Sequence, residues 1–173
     1  KLSKLYVQNH AGKGMKKIRV LQWGLGAMGS GMAKLMLEKT GLKIVAALDA
    51  RPDFCGKDLG DALQLGKKVG VKITNNPDSV LKKEKVDIVV IATTSWLKEQ
   101  MPDLRKILTA GINCISIAEE MADAHAQNPK YAKELDKLAK ENGVTIIGTG
   151  VNPGFVIDML VVALTAGTHS VDR

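Results

Sequence analysis

At 173 residues, with 45% apolar and 25% charged side chains, the chain has the composition of a globular protein with room for one sizeable core. No apolar stretch is long enough to span a bilayer, and an aromatic content of 3% argues against a single-stranded nucleic-acid surface, which needs stacking platforms. Of the net charge of +7, three come from Lys1, Lys4 and Lys13, leaving +4 over the rest, where Lys133-Glu134, Asp136-Lys137 and Lys140-Glu141 alternate as solvated helix faces do.

Cys55 and Cys114 fall in separate elements, and the three histidines show no ligand spacing. Neither a disulfide framework nor a metal site is indicated, and a reducing cytoplasm is the default compartment. Residues 1–14 lack periodicity and the apolar core of a signal peptide, and they read as a leader or cloning remnant, mobile in isolation. The folded domain is expected over 15–173.

The chain is organised around Val20-Leu-Gln-Trp-Gly-Leu-Gly-Ala-Met-Gly-Ser30. Ile18 to Trp23 is a buried-strand run, Gly24, Leu25, Gly26, Ala27, Met28 and Gly29 form a complete G-x-G-x-x-G, and a helix follows from Met28 to Lys39. Met28, Met32, Leu35 and Met36 are expected to be its core face. In that order the three glycines have separate duties. Gly24 makes the tight turn, Gly26 admits a pyrophosphate to the backbone, and Gly29 lets the helix pack closely. Gly41 is expected to cap the helix, and Leu42 to Leu48 to complete a βαβ unit. Asp49 then stands 25 residues past Gly24, where an acid accepts the adenosine ribose hydroxyls of NAD. Arg51 stands where a guanidinium pairs with the 2′-phosphate of NADP. The two pull in opposite directions, with the balance towards NAD and dual use open.

Asp53 to Gly70 is irregular, with glycines at 56, 60 and 66. A short strand is expected over Val71 to Thr74, a helix from Pro77 to Lys85 with Asn76 as its cap, and a buried strand over Val86 to Ala92. Ala92, Thr93, Thr94 and Ser95 lie at that strand's carboxyl end, where an open parallel sheet binds ligands. Their hydroxyls serve equally well as a cap for a helix over Trp96 to Ala110. Ile112 to Ala118 follows as a strand that delivers Glu119 and Glu120 to the same rim. A polar helix from Pro129 to Glu141 ends at Asn142-Gly143, and Val144 to Gly148 is the sixth strand. Gly148-Thr-Gly-Val-Asn-Pro-Gly154 then makes a second glycine-rich turn, placing Asn152 and Pro153 ahead of an apolar helix over Phe155 to Ala166. A further strand is expected from Val171. Alternating strands and helices of this kind predict an α/β fold, a Rossmann-type doubly wound parallel sheet. Such a fold usually works with a second, substrate and dimerisation domain, and the chain is expected to be the amino-terminal domain alone.

Trp23-Gly-Leu-Gly-Ala-Met-Gly29, Leu48-Asp-Ala-Arg51 with Gly56-Lys-Asp-Leu-Gly60, Ala118-Glu-Glu120 and Gly148-Thr-Gly-Val-Asn-Pro-Gly-Phe155 together resemble the 2,4-diaminopentanoate dehydrogenases and native amine dehydrogenases, which are dihydrodipicolinate reductase-like. The resemblance runs from Met15 to Arg173 and covers the first half of a family member. It implies reversible oxidative deamination of 2,4-diaminopentanoate to 2-amino-4-oxopentanoate and ammonia, as in ornithine degradation, with NAD or NADP taking the hydride. It also implies a functional glutamate in the Glu119-Glu120 pair, a small amine or diamine as partner, and a homodimer for the complete enzyme. Alone, the chain is expected to bind cofactor weakly and not turn over. Two readings compete: an imine reductase of the dihydrodipicolinate type, for which His125 and His169 are too isolated, and a nucleotide-sensing module without catalysis. No G-x-S-x-G, Walker A or H-E-x-x-H is present.

Overall fold

The computed structural model describes residues 16–83 and 85–171, so the leader over 1–14 lies outside the described residues. Six strands share one sheet in the order β3-β2-β1-β4-β5-β6, the strand order of a Rossmann fold. The chain divides into two compact units, one up to Val89 and one from Val90.

In the first unit, β1 (Ile18–Trp23) pairs in parallel with β2 (Leu42–Leu48), and β2 pairs in parallel with β3 (Ile73–Thr74). Between them runs helix α1 (Ala27–Leu37). The β1–β2 register slips between Val20 and Leu21, so that Val20 faces Ile44 but Leu21 faces Ala46. The extra residue re-aims the end of β2 and brings the Leu48 carbonyl 2.8 Å from the Gly24 nitrogen at the mouth of the turn.

The buried face of α1 differs from the expected one. Met28 is 60% and Leu35 54% exposed, whereas Gly29 and Ala33 are buried and Met36 and Leu37 pack the edge of the core. Small residues face inward because the helix starts so near the turn that no long side chain fits. Gly41 is not the helix cap. Glu38 takes that position, and Gly41 lies in the turn before β2, where its carbonyl accepts from the Ile18 amide.

The irregular stretch from 53 to 70 is ordered by one acid. Asp58 accepts from the amides of Gly60, Val69 and Gly70, each at 2.8 Å, and so caps α2 (Leu59–Ala62), whose Leu59 is fully buried. Asn76 caps α3 (Pro77–Lys83) as expected, its Oδ1 accepting from the Ser79 amide at 3.2 Å.

In the second unit, α4 (Leu97–Thr109) turns Leu97, Gln100, Met101, Leu104, Ile107 and Leu108 inward at helical spacing. It ends at Ala110, with Gly111 following. Strand β5 (Asn113–Ser116) pairs in parallel with β6 (Ile146–Gly148), and between them lie α5 (Ala124–Gln127) and α6 (Pro129–Glu141). Helix α6 buries only Ala132, Leu135 and Ala139, as its polar sequence demands, and Arg105 of α4 pairs with its Glu134. After β6, a turn with non-helical backbone at Asn152, Pro153 and Gly154 leads through wide helical turns into α7 (Leu160–Thr165). Val171 is irregular, and Asp172 and Arg173 lie outside the described residues. Strand β4 is Ile88–Ile91.

Candidate functional site

The first unit presents a cradle built of backbone. Gly24 takes a φ of +93°, a conformation L side chains rarely adopt, and turns the chain out of β1. Gly29 lies so close to that turn that a Cβ would meet the Gly24 carbonyl oxygen at 2.0 Å. Gly26 is the opposite case: a Cβ there would meet nothing within 4 Å. Its missing side chain serves no internal packing, so what it leaves clear is the approach from outside.

Helix α1 begins at this open glycine with no side-chain cap and no acid in its first turn. Gly26, Ala27 and Met28 are exposed. Amides left unsatisfied at a helix N-terminus attract an anion, and among the described residues no acid of the first turn competes for them. The cradle therefore fits a diphosphate.

At the end of β2, Asp49 is 8% exposed and accepts four hydrogen bonds. Its Oδ1 takes the Arg51 amide at 2.9 Å and Arg51 Nε at 2.8 Å. Its Oδ2 takes the Leu25 amide at 2.8 Å and Arg51 Nη2 at 3.0 Å. Burial pushes the Asp49 carboxyl up, but the Arg51 side chain, the Arg51 and Leu25 amides and the guanidinium charge outweigh it and hold the carboxyl below its ordinary value. Arg51 Nη2 also donates to the Leu25 carbonyl at 2.7 Å, and the guanidinium carbon lies 3.8 Å above the centre of the Phe54 ring. Phe54 carried no signal in the sequence, because one aromatic in an irregular stretch has no period to betray it.

In the second unit, a buried polar chain runs beneath the carboxyl end of β4. The Ala118 amide donates to Ser116 Oγ at 3.1 Å, Ser116 Oγ donates to Gln100 Oε1 at 2.5 Å, and Gln100 Nε2 donates to Thr93 Oγ1 at 3.3 Å. Gln100 and Ser116 are fully buried and Thr93 is exposed, so the core fixes a surface hydroxyl. Thr94 Oγ1 accepts from the Trp96 amide at 3.3 Å and donates to Glu99 at 2.6 Å. Ala92 is half-buried beside them.

The two adjacent glutamates part company. Residues 119–121 form a 3-10 turn rather than the extended strand end expected, because the ladder of β5 stops at Ser116. Glu120 is half-buried, and its Oε2 accepts from the Leu97 amide at 2.7 Å, capping α4 from across the unit. The Trp96 side chain makes no capping bond, and the capping role that was one of two readings for the hydroxyls of residues 93–95 is divided between Thr94 at the Trp96 amide and this carboxylate at the Leu97 amide. Glu119 is exposed.

Asn152 is exposed and Pro153 half-buried in the turn after β6, with a cis peptide between them. The Gly154 amide donates to Asp158 at 2.6 Å, and the Thr149 amide returns to the Ser116 carbonyl at 3.0 Å. Gly148 passes so near the 3-10 turn that a Cβ would lie 2.1 Å from the Met121 carbonyl oxygen. The glycine-rich turn is thus packed against the segment that carries the glutamates. Among the described residues no group of three or more metal-ligating side chains occurs, and no helix is long and apolar enough to cross a membrane.

Comparison with known proteins bears on the same elements. The family described as dihydrodipicolinate reductase, N-terminus, matches residues 18–90, which carry the glycine turn, Asp49 and Arg51. The chain is 40% identical over 153 residues to 2,4-diaminopentanoate dehydrogenase of Acetoanaerobium sticklandii, a match spanning 87% of this chain and 43% of that protein. Its fold is similar to the solved amine dehydrogenase of Mycobacterium smegmatis, with a TM-score of 0.82 and 38% identity, over 91% of this chain and 46% of that one. GenD2 of gentamicin A biosynthesis, solved in complex with NAD, shares the fold at a TM-score of 0.64 and 22% identity, over 90% of this chain and 42% of that one. The chain spans less than half the length of each. Family profile, sequence and fold agree over one strand-turn-helix framework: residues 18–90 match the N-terminus of dihydrodipicolinate reductase, and the chain is similar over most of its length to the first half of 2,4-diaminopentanoate dehydrogenase and of a solved amine dehydrogenase.

Proposed function

We propose that the chain is the NAD(P)-binding part of an oxidoreductase that deaminates 2,4-diaminopentanoate to 2-amino-4-oxopentanoate and ammonia. The observation that carries the cofactor reading is the uncapped, acid-free start of α1 beside a glycine whose side chain nothing inside would obstruct. The 40% identity to a 2,4-diaminopentanoate dehydrogenase supports the substrate.

When bound, the dinucleotide supplies the hydride acceptor. Gly26, Ala27 and Met28 hold its diphosphate through their amides, and Asp49 with Arg51 meets its adenosine end. In the second unit, Ala92, Thr93, Thr94, Asn152 and Pro153 stay candidate cofactor contacts on the ground of their place in the sequence alone.

The chemistry asks for a carboxylate. The substrate amine must lose a proton before hydride leaves its carbon, and the resulting imine must gain water, which adds at carbon and expels ammonia. One carboxylate of suitable reach serves both proton transfers and holds ammonium in the reverse direction. Glu119 is the better placed of the pair, because Glu120 is engaged with the Leu97 amide and Glu119 is exposed. Glu120 keeps the turn that presents its neighbour.

The test is in two arms. The chain is titrated with NAD and NADP by calorimetry. It is then fused to the carboxyl-terminal part of the A. sticklandii relative and assayed for substrate-dependent reduction of either cofactor with 2,4-diaminopentanoate. Binding without turnover by the chain and turnover by the fusion support the reading. Failure of both cofactors to bind the folded chain rejects it, and turnover of another amine in place of the diamine rejects the substrate alone.

A further inference from the structure

We propose that Gln22 and Ser30 are positioning residues of the glycine cradle: they fix two successive peptide planes of the turn, and through them the direction of the amide that faces a ligand. This rests on the reading that the turn receives the diphosphate of a dinucleotide. Neither side chain touches that ligand.

Gln22 sits in β1 between Leu21 and Trp23, at a fully buried position. An apolar side chain of the same length would fill such a site without penalty, whereas an amide must find partners for both its oxygen and its nitrogen. Gln22 Oε1 has none among the described residues. A polar group held in the core with one atom orphaned lowers stability, so the contribution of this residue is to be found at its other atom. Nε2 donates to the Gly24 carbonyl at 2.8 Å. It lies under the start of α1, where a Cβ on Gly29 would approach it to 3.1 Å.

The Gly24–Leu25 peptide is thereby held at both ends. Its carbonyl is bonded to Gln22, and its N–H, which belongs to Leu25, donates to Asp49 Oδ2 at 2.8 Å. Rotating that plane would break both bonds at once. The next plane, Leu25–Gly26, is held by its oxygen, because Ser30 Oγ and Arg51 Nη2 both donate to the Leu25 carbonyl at 2.7 Å. In a trans peptide the N–H points opposite to the carbonyl, and among the described residues the cis bond is at Asn152-Pro153. The Gly26 N–H is therefore directed away from Ser30 and Arg51, on an exposed residue. A turn whose planes are set beforehand loses little freedom when a ligand arrives, and one that can rotate must be ordered by the ligand.

The experiment sets cofactor affinity, from calorimetric titration of the chain with NAD and with NADP, against the urea midpoint of the same protein. Gln22→Met exchanges one orphaned oxygen, Oε1, for another, the Gly24 carbonyl, so the midpoint should stay near the wild-type value. Both cofactors should bind that variant about three- to tenfold more weakly, the weight of one hydrogen bond. At Ser30 the two readouts are expected to move in opposite directions. Ser30→Ala removes the hydroxyl but places a better helix former in α1, so the midpoint should hold or rise while affinity falls about threefold. Ser30→Thr keeps the hydroxyl and is the poorer helix former, so affinity should be retained while the midpoint falls slightly. A role in folding alone would make affinity follow the midpoint in all three variants. That correlation, or wild-type affinity in both Gln22→Met and Ser30→Ala, overturns the inference and leaves the dinucleotide reading standing. Failure of Gln22→Met to fold overturns the assignment of Gln22, and the Ser30 pair then decides the rest. Absence of binding of either cofactor by the folded wild-type chain overturns both readings.

Discussion

The Glu120 carboxylate lies 2.7 Å from the Leu97 amide, so an acid from the segment after β5 closes the N-terminus of α4. Loss of such a cap costs about 0.5–2 kcal/mol. Glu120→Ala is expected to lower the urea midpoint of the chain correspondingly at unchanged m-value, and Glu119→Gln to leave that midpoint in place. In the fusion assayed with 2,4-diaminopentanoate, Glu119→Gln should cut kcat by about 10²-fold or more, the scale of a lost general base. Comparable kcat in both single variants would remove Glu119 from the chemistry.

Gly26 and Gly29 separate binding from folding. Gly29→Ala forces a methyl onto the Gly24 carbonyl and is expected to destabilise the chain by about 1–3 kcal/mol. Gly26→Ala has open space and should unfold at nearly the wild-type midpoint, yet bind NAD and NADP at least tenfold more weakly, about 1.4 kcal/mol. Calorimetry beside a denaturation curve checks both. Full cofactor affinity in Gly26→Ala would show that no ligand approaches this turn.

Acid should loosen the loop that Asp58 organises. Its amide partners, Val69 first and then Gly60 and Gly70, hold the carboxyl below its ordinary value against the smaller push of desolvation. A group with a lowered folded pKa contributes stability above its unfolded value, about 3.9, and loses it as pH falls through the folded value. The urea midpoint of the wild type should therefore drop on that acid limb. Asp58→Asn should be less stable than the wild type at neutral pH and show a shallower acid limb, followed by circular dichroism from pH 7 to 2.

Asp103 carries the opposite sign. Burial in α4 raises its carboxyl, and the charge of Lys106 offsets only part of that. A raised folded pKa means that its contribution is intact below the unfolded value and is lost as pH rises through the folded value. Asp103→Asn is expected to raise the thermal midpoint at pH 7 and to match the wild type near pH 3. A variant less stable than the wild type at pH 7 would show that the charge has a favourable partner.

Repeating apolar patterns and turn glycines were legible in the sequence. The ends of β1 and β2, the whole of α6 and the duties of Gly24 and Gly29 follow from them, because period and positive φ are local properties. The inward face of α1 was not. Its methionines fit a helical period, but the close start at Gly29 turned Ala33 inward instead, and that is decided by neighbours outside the helix. The division of labour between Glu119 and Glu120 was equally hidden, since it depends on Leu97, 23 residues away. Arg51 and Asp49 looked like rivals for one ribose. The structure makes them one unit, because two residues of separation bring the guanidinium back onto the carboxylate.

The buried line from Ala118 to Thr93 has a direction. An amide can only donate to Ser116, and the serine proton goes to the Gln100 oxygen, so the Gln100 nitrogen must face Thr93. Thr93 thus receives a proton from within and has its own to present to the outside. A carbonyl or phosphate oxygen would be welcomed there, and Gln100→Glu would reverse the order, turning the same hydroxyl inward to face a carboxylate.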